Sequence, residues 1–501
     1  MASSEPADSR LKSQSPVLSP PHPRRVVIIG GGIAGLATAY ALQERAHLSG
    51  VALACTLVEA RPRLGGVILT EHVDGFVLEA GPDSLLTQKP WGLDLCRALG
   101  LGDRLVGTNA RQRTVYILWD GRLQPLPAGL MLIVPTRLGP LLRSPLLSWP
   151  GKIRMGLEYW LPARPSNGDE SLGTFVRRRL GGEALDKIAE PLLAGIYAGS
   201  AQDMSLLATF PRLRELEISH GGLIRGMLAQ RRALQRASSS GSRSPTALFM
   251  APRGGMGEIV EALVSRLDQV VLRPGESVQR VMPHGHDGAE APGYTVYLDS
   301  ATPLQAEAVV FATPAHLTAR LVEGFYPRLA EALDAIPYAS SATVSLAFRR
   351  RDVRHPLDGF GFLVGKREGR QITAASWTSS KFPHRAPADH VLIRSFLGGV
   401  GREEVVWRED AALIQLVREE LGTILGISAA PVLARAYRWE RANPQYLVGH
   451  LERVDAMEQL LTSYPGLFLA GSAYRGVGVP DCIHQGLQTA ERLLRALVPT
   501  G

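Results

Sequence analysis

The residues best placed to do chemistry come early. A short apolar run, Arg25-Val26-Val27-Ile28-Ile29, breaks into Gly30-Gly31-Gly32-Ile33-Ala34-Gly35 and restarts as Leu36-Ala37-Thr38-Ala39-Tyr40-Ala41-Leu42. That order predicts strand, tight turn and helix. Gly30 makes the turn, Gly32 lets the backbone approach a pyrophosphate, and Gly35 lets the helix lie close on the strand. The first amides of the helix, around Ile33 and Ala34, then face the phosphate charge. A second apolar run, Val51 to Val58, ends in Glu59, where a carboxylate can accept hydrogen bonds from a ribose. The chemistry predicted is retention of a dinucleotide.

Glu59 is followed by Ala60-Arg61-Pro62-Arg63-Leu64-Gly65-Gly66-Val67. This segment resembles the Arg-x-Gly-Gly turn that follows the ribose-binding acid in flavoproteins of the amine oxidase and desaturase superfamily, which implies FAD rather than NAD. Two glycines let main-chain amides crowd against the cofactor, and an arginine near a diphosphate supplies charge-assisted hydrogen bonds. Ala60, Arg63, Gly66 and Val67 are the contacts expected here.

The elements that must position these residues are scattered along the chain. A glycine turn at Gly254-Gly255-Met256-Gly257 leads into a helix from Ile259 to Leu267 and a strand Val270-Val271-Leu272. A strand pair after Val278, joined by a loop from His284 to Gly293, is followed by Ala308-Val309-Val310-Phe311-Ala312-Thr313-Pro314. Leu467-Phe468-Leu469-Ala470-Gly471 is again strand into glycine turn, and a helix from Cys482 to Leu497 closes the chain. The expected organisation is α/β and Rossmann-like, a flavoprotein with two dinucleotide-type domains in which FAD, substrate and helical membrane-facing parts interleave. Its boundaries are a disordered tail at 1–23, FAD-binding parts at 24–99, 251–314 and 436–498, a helical membrane-facing or lid region at 100–190, and substrate-domain parts at 191–250 and 315–435. The Ser-rich stretch from Ala237 to Ser244 reads as a flexible loop.

Composition narrows the partners. At 501 residues, 45% hydrophobic and 20% charged, the chain can bury several domain-sized cores. Its net charge of +8 is carried almost wholly by arginine, with only six lysines, and acidic residues stand beside most of the arginines, so no nucleic-acid stripe emerges. Arg177-Arg178-Arg179 reads as the solvated face of a helix starting near Ser171. Cys55, Cys96 and Cys482 lack CxxC spacing, so neither a disulfide framework nor a metal site is expected and a reducing, cytoplasmic setting fits. The first 24 residues have neither the apolar core of a secretory signal nor the acid-poor character of a transit peptide. No apolar run is long enough to span a bilayer. The densest, Leu123 to Leu161, is broken by proline and arginine and suits a membrane surface at most.

Five further motifs, in order, resemble the FAD-dependent porphyrinogen oxidases of haem synthesis, of the bacterial protoporphyrinogen or coproporphyrinogen III oxidase type. They are Glu79-Ala80-Gly81-Pro82-Asp83-Ser84, Asp169-Glu170-Ser171-Leu172-Gly173, Glu190-Pro191-Leu192-Leu193-Ala194-Gly195-Ile196-Tyr197-Ala198-Gly199, Asn443-Pro444-Gln445-Tyr446 with Gly449-His450, and Gly471 to Cys482. The resemblance implies that Gly30, Gly32, Gly35 and Glu59 hold the adenosine and pyrophosphate half of a noncovalent FAD, with Val278 beside the adenine. It implies that Gly81, Pro82, Asp83 and Ser84 line the flavin, and that Trp439 and Val477-Gly478-Val479 touch the isoalloxazine, where a helix N-terminus favours developing negative charge. Gly195 becomes a floor position whose carbonyl faces the macrocycle, and Leu346, Trp377 and Phe382 are the candidates for its apolar walls. Three two-electron steps to flavin N5, with O2 giving H2O2, would turn porphyrinogen into porphyrin, so no catalytic side chain is demanded. Mitochondrial and plastid relatives place a propionate-clamping arginine where this chain has Val115; Arg113 or Arg111 stands in for it. Protoporphyrinogen IX and coproporphyrinogen III are both left open, as are the electron acceptor, a ferrochelatase partner, a homodimer and a peripheral membrane contact.

Two other readings compete. One is an amine oxidase or carotenoid desaturase on the same fold, set apart by Pro480-Asp481-Cys482-Ile483 and the Pro-Gln-Tyr segment. The other is a flavin-binding scaffold without turnover, opposed by the size of the substrate domain. Gly398-Gly399-Val400-Gly401 lacks the spacing of a second dinucleotide turn, which disfavours a pyridine-nucleotide reductase.

Overall fold

The computed structural model describes residues 22–131, 133–135, 137–165, 168–238, 247–284, 293–299 and 302–497. Most of the tail expected at 1–23, most of the Ser-rich loop and the middle of the loop between His284 and Gly293 lie outside the described residues.

The chain passes repeatedly between two bodies. It begins with β1 (Arg24–Ile29), α1 (Ile33–Ser49) and β2 (Leu53–Glu59), then crosses to a hairpin of β3 (Val115–Trp119) and β4 (Arg122–Pro125). Helices follow, among them α2 (Trp149–Gly156), α3 (Leu172–Leu180) and α4 (Glu190–Tyr197). The chain returns for β5 (Val270–Pro274) and β6 (Ala308–Phe311) and crosses again for β7 (Tyr338–Arg349), β8 (Gly361–Val364), β9 (Ile372–Trp377), a short helix α5 (Thr378–Lys381), β10 (His390–Gly398), α6 (Asp410–Leu425) and β11 (Leu433–Pro444). It finishes at home with β12 (Leu467–Leu469) and α7 (Val479–Leu497).

The first body is a parallel sheet of order β5-β2-β1-β6-β12. Its central strands are buried on both faces, which is why β1 reads as an unbroken Val/Ile run rather than an alternating one. Three distant stretches of sequence build this sheet. α1 and α7 cross closely over it: a Cβ at Gly486 would lie 2.6 Å from Ala34 O.

The second body is a seven-stranded mixed sheet of order β11-β7-β10-β9-β8-β3-β4. Its strands have two unlike faces. Ala342, Val344, Leu346 and Phe348 of β7 share one core with Trp377 and with Leu413, Leu416, Val417 and Leu421 of α6. The opposite face of β7 carries Thr343, Ser345 and Ala347 and turns toward the first body.

Two expectations need correction. The hairpin Val115 to Pro125 belongs to the seven-stranded sheet of the second body, although residues 100–190 were expected to be helical. Its turn residues Asp120 and Gly121 sit at φ 51° and 67°, the left-handed pair of a tight hairpin that an Asp-Gly dipeptide favours. Nor is Arg177-Arg178-Arg179 a solvated face. Arg179 is fully buried against Glu158, and Arg178 pairs with Glu170 and Glu217, because α3 packs its basic side onto buried carboxylates. Among the described residues no helix is long and apolar enough to cross a membrane.

Candidate functional site

The β1–α1 turn is a cradle made of backbone. Gly30 has φ 109° and its missing Cβ would sit 2.7 Å from Ala312 O, while a Cβ on Gly35 would lie 2.0 Å from Gly30 O. Both glycines are demanded by the protein's own packing. Gly32 differs: the nearest atom to a Cβ there is Gly66 Cα at 4.0 Å. Its freedom from side chain leaves open space at the start of α1, which has no side-chain cap and no acidic residue in its first turn. The first amides of α1, at Ile33, Ala34 and Gly35, are thus available to an anion.

A second glycine turn closes the cradle. Gly65 N donates to Gly31 O at 2.8 Å, and Gly32 and Gly65 form a parallel bridge. Gly66 has φ 59° and a Cβ on it would press within 3.1 Å of Gly32 Cα. The Arg63 guanidinium, expected on the diphosphate, donates to Gly66 O at 2.7 Å and Ile68 O at 3.2 Å and so folds its own turn. Glu59 is aimed by two amides, Gly31 N (2.7 Å) and Arg61 N (2.9 Å). Each carboxylate oxygen keeps a lone pair for a ribose hydroxyl. Gly31 therefore carries a role that the sequence reading assigned only to its neighbours. Ala60 stands beside Glu59 at the end of β2, and Val278 begins the strand that follows β5, whose Pro274 pairs with Glu59.

The loop from Ala80 to Ser84 comes next. A Cβ on Gly81 would lie 1.9 Å from Val67 O, so residues 67 and 81 meet with no side chain between them. Trp439, buried, donates its Nε1–H to Ala80 O at 2.9 Å, and Arg394 donates to Gly81 O at 2.6 Å. Past Pro82, Asp83 is held by Lys381 Nζ at 2.8 Å and by the Ser84 hydroxyl at 2.6 Å. Burial raises the Asp83 carboxyl, but Lys381, Arg385 and Arg394 outweigh it and hold the group well below the usual carboxylate range. Farther along the chain, Gly478 N donates to Asp481 Oδ2 at 3.2 Å, and the turn of Val477 and Gly478 leads into the N-terminus of α7 at Val479. Tyr446 fixes that approach, accepting from Gly476 N at 2.8 Å and donating to Ser472 O at 2.7 Å.

The candidate substrate residues divide. Gly195 is exposed on α4, and a Cβ there would meet Leu363 Cδ2 at 3.0 Å. Leu346 and Trp377 are fully buried in the core beneath α6, and Phe382 is fully buried under the first sheet with the Arg385 guanidinium 4.4 Å from its ring. None of the three is a wall. For Leu346 the physical reason is strand parity, since β7 turns alternate residues to opposite faces. The face toward the loop of Ala80 and Gly81 carries Thr343, and its cross-strand partners run Phe396, Ala374 and Leu363. Leu363 and Phe396 are partly exposed there, and the sequence reading missed them. Arg113 and Arg111 are exposed just before β3, with no ion pair among the described residues.

Backbone donors, a ribose-ready carboxylate and glycine gaps fit FAD in shape and charge, and they define a class. Residues 33–494 match the flavin containing amine oxidoreductases, and the chain belongs to that family as an FAD-dependent oxidoreductase. Putrescine oxidase shares the fold at TM-score 0.66 and 18% identity, covering 94% of this chain and 99% of its own. Within the class the chain falls among the porphyrinogen oxidases. It is 36% identical to coproporphyrinogen III oxidase of Bacillus subtilis, over 92% of this chain and 96% of that one. It is 31% identical to chloroplastic protoporphyrinogen oxidase 1 of Arabidopsis thaliana, over 93% and 87%. A solved structure from Exiguobacterium sp. 255-15, named for protoporphyrinogen oxidase, superposes with TM-score 0.81 at 34% identity, covering 94% of this chain and 98% of that one.

Proposed function

We propose that the chain oxidises coproporphyrinogen III to coproporphyrin III, with protoporphyrinogen IX as the second reading. The observation that carries this is the partly exposed apolar strip of Leu363 and Phe396 opposite the bare backbone of Gly195, beside the loop of Gly81. A flexible, electron-rich macrocycle needs such a slot and needs no strong acid or base. Bound FAD would accept two electrons per round, and three rounds with O2 as acceptor balance as porphyrinogen plus three O2 giving porphyrin plus three H2O2. Leu363 and Phe396 would hold the ring, Gly195 would let it approach, and Arg113, with Arg111 as its alternate, would meet propionates. Relatives named coproporphyrinogen III oxidase, at 31–36% identity, favour the first substrate over the plastid relatives at 29–31%. Cys482 supports a noncovalent cofactor: burial pushes its thiol up to about 12, which leaves little thiolate to form a flavin link.

The same reading puts the enzyme at a membrane surface. Trp149, Ile153 and Trp160 are 64%, 62% and 70% exposed on and just after α2, and Lys152 lies over the Trp149 ring. Aromatic and aliphatic side chains beside cations suit the lipid headgroup boundary. A ferrochelatase receiving the porphyrin and a second copy of the chain are the protein partners this reading admits.

The test is the purified flavoprotein assayed with both porphyrinogens in parallel, following porphyrin fluorescence and H2O2. Faster oxidation of coproporphyrinogen III is expected; no fluorescence from either, with FAD bound, would overturn the reading. Arg113→Ala should raise KM about tenfold with kcat nearly unchanged. Unchanged kinetics would return Arg113 to the bare surface.

A further inference from the structure

Three strands of the second sheet each send one donor to the same oxygen. Thr343 Oγ1 from β7 (3.0 Å), Arg394 Nη2 from β10 (2.9 Å) and Trp439 Nε1 from β11 (2.9 Å) all donate to Ala80 O. A carbonyl oxygen offers two lone pairs, so this one carries more donors than an ordinary backbone acceptor, and one of them is cationic. All three side chains are buried. In a low-dielectric setting, hydrogen bonds at a carbonyl oxygen draw electron density from the amide nitrogen and strengthen the N–H of the same peptide group as a donor.

That N–H belongs to Gly81. Across a trans peptide it points opposite to the carbonyl, away from the sheet, and it has no backbone or side-chain acceptor among the described residues. Arg394 adds a second contact, to Gly81 O, and its guanidinium lies 4.8 Å from the Phe396 ring on the substrate-facing strip. The structure therefore ties one buried cation to both the loop and the wall.

We infer that the Gly81 amide is a polarised hydrogen-bond donor to the bound isoalloxazine, and that Arg394, with Thr343, is the positioning residue that raises the flavin's affinity for electrons through it. This rests on the reading of the Gly81 loop as flavin-facing. A donor to the ring system favours the electron-rich reduced form.

The experiment is an anaerobic titration of the flavin midpoint potential in holoenzyme with Arg394→Gln, Arg394→Lys or Thr343→Val, alongside the visible absorption spectrum. Thr343→Val is nearly isosteric and leaves Ala80 O with two donors, so it orphans nothing. The potential is expected to fall most in Arg394→Gln, by about 30 mV for a tenfold loss of preference for reduced flavin. Thr343→Val should shift it less, and Arg394→Lys should recover part of the loss. Wild-type potentials and spectra in Arg394→Gln and Thr343→Val, with FAD bound at full occupancy, overturn the inference. If Arg394→Gln does not fold, Thr343→Val decides alone, a lowered potential supporting the inference and a wild-type one refuting it. No porphyrinogen enters this titration. An enzyme inert toward both porphyrinogens fells the proposed function and leaves these potentials to be judged, whereas unchanged potentials with turnover intact fell the inference only.

Discussion

The glycine cradle of the first body is shaped by backbone, and the open face of the second sheet is shaped by side chains. The cradle is made from what Gly30, Gly32, Gly35, Gly65 and Gly66 lack, so each residue there is constrained by a clash or by a gap. The sheet is made from which of two faces a residue occupies: Leu346 and Phe396 are both apolar strand residues, yet one lies under α6 and the other shares the face of Thr343, which reaches Ala80 O. A site built on backbone tolerates almost no substitution. A site built on a face tolerates many, provided the alternation survives.

The sharpest way to break this contrast lies inside the cradle. Gly35→Ala drives a methyl to 2.0 Å from Gly30 O in a fully packed crossing, and it should cost about 3 kcal/mol or more and leave little folded protein. Gly32→Val has φ −72° and ψ 178° to occupy, which valine accepts, and its Cβ would find Gly66 Cα nearest, at 4.0 Å. It should melt near the wild-type apoprotein and retain no flavin. Circular-dichroism melts paired with absorbance of bound FAD separate the two; a Gly32→Val protein that stays stoichiometrically yellow would contradict the cradle as described.

The cradle was legible in the sequence because glycine at a fixed spacing, followed by an acid at a strand end, has few other physical uses. The interleaving was legible for a similar reason, since parallel strands buried on both faces are apolar throughout. The walls were not, although a signal was present. In Ala342-Thr343-Val344-Ser345-Leu346-Ala347-Phe348 the larger apolar residues mark the core side, and the hydroxyls mark the side that must donate to Ala80 O. Size alone drew Leu346 and Trp377 into the site. Arg179 escaped for a different reason: its carboxylate partner Glu158 is distant enough in sequence that no local spacing announces a buried pair.

Parity can be sharpened by four truncations. Leu346→Ala and Trp377→Ala should each cost about 3 kcal/mol of stability and leave KM alone. Leu363→Ala and Phe396→Ala, on partly exposed residues, should barely move the melting temperature and lower kcat/KM about tenfold, roughly 1.4 kcal/mol of binding. Denaturant melts and porphyrin-fluorescence kinetics on the same preparations give both readings. A Leu346→Ala enzyme with normal stability and a raised KM would return that residue to the wall.

The smallest effect expected is a pH dependence at two buried histidines, His450 at the start of the helix His450–Leu461 and His316 in the helix Ala315–Val322. His450 is fully buried, stacked on Tyr446 with ring centroids 3.9 Å apart, and its Nε2 lies 2.8 Å from Tyr474 O. Burial, with Arg453 and Arg475 adding to it, pulls its pKa down to about 4, against the bond to Tyr474 O. His316 is likewise pulled to about 4 by burial and by Arg441 and Arg320. Both titrate near 6.5 when unfolded. Between about pH 6.5 and 4 the unfolded chain therefore binds protons that the folded one refuses, so their stabilisation is complete above that window and is lost as pH falls through it. One such proton is worth about 1.4 kcal/mol per pH unit within the window. His450→Phe keeps an aromatic ring against Tyr446 and removes one proton, so the slope of unfolding free energy against pH should shrink by that amount while His316 keeps its own share. Because Tyr446 also holds Gly476 ahead of Val477 to Val479, flavin retention at pH 5 should improve in His450→Phe relative to wild type. An unaltered slope would mean that His450 takes up its proton in the folded state as readily as in the unfolded one.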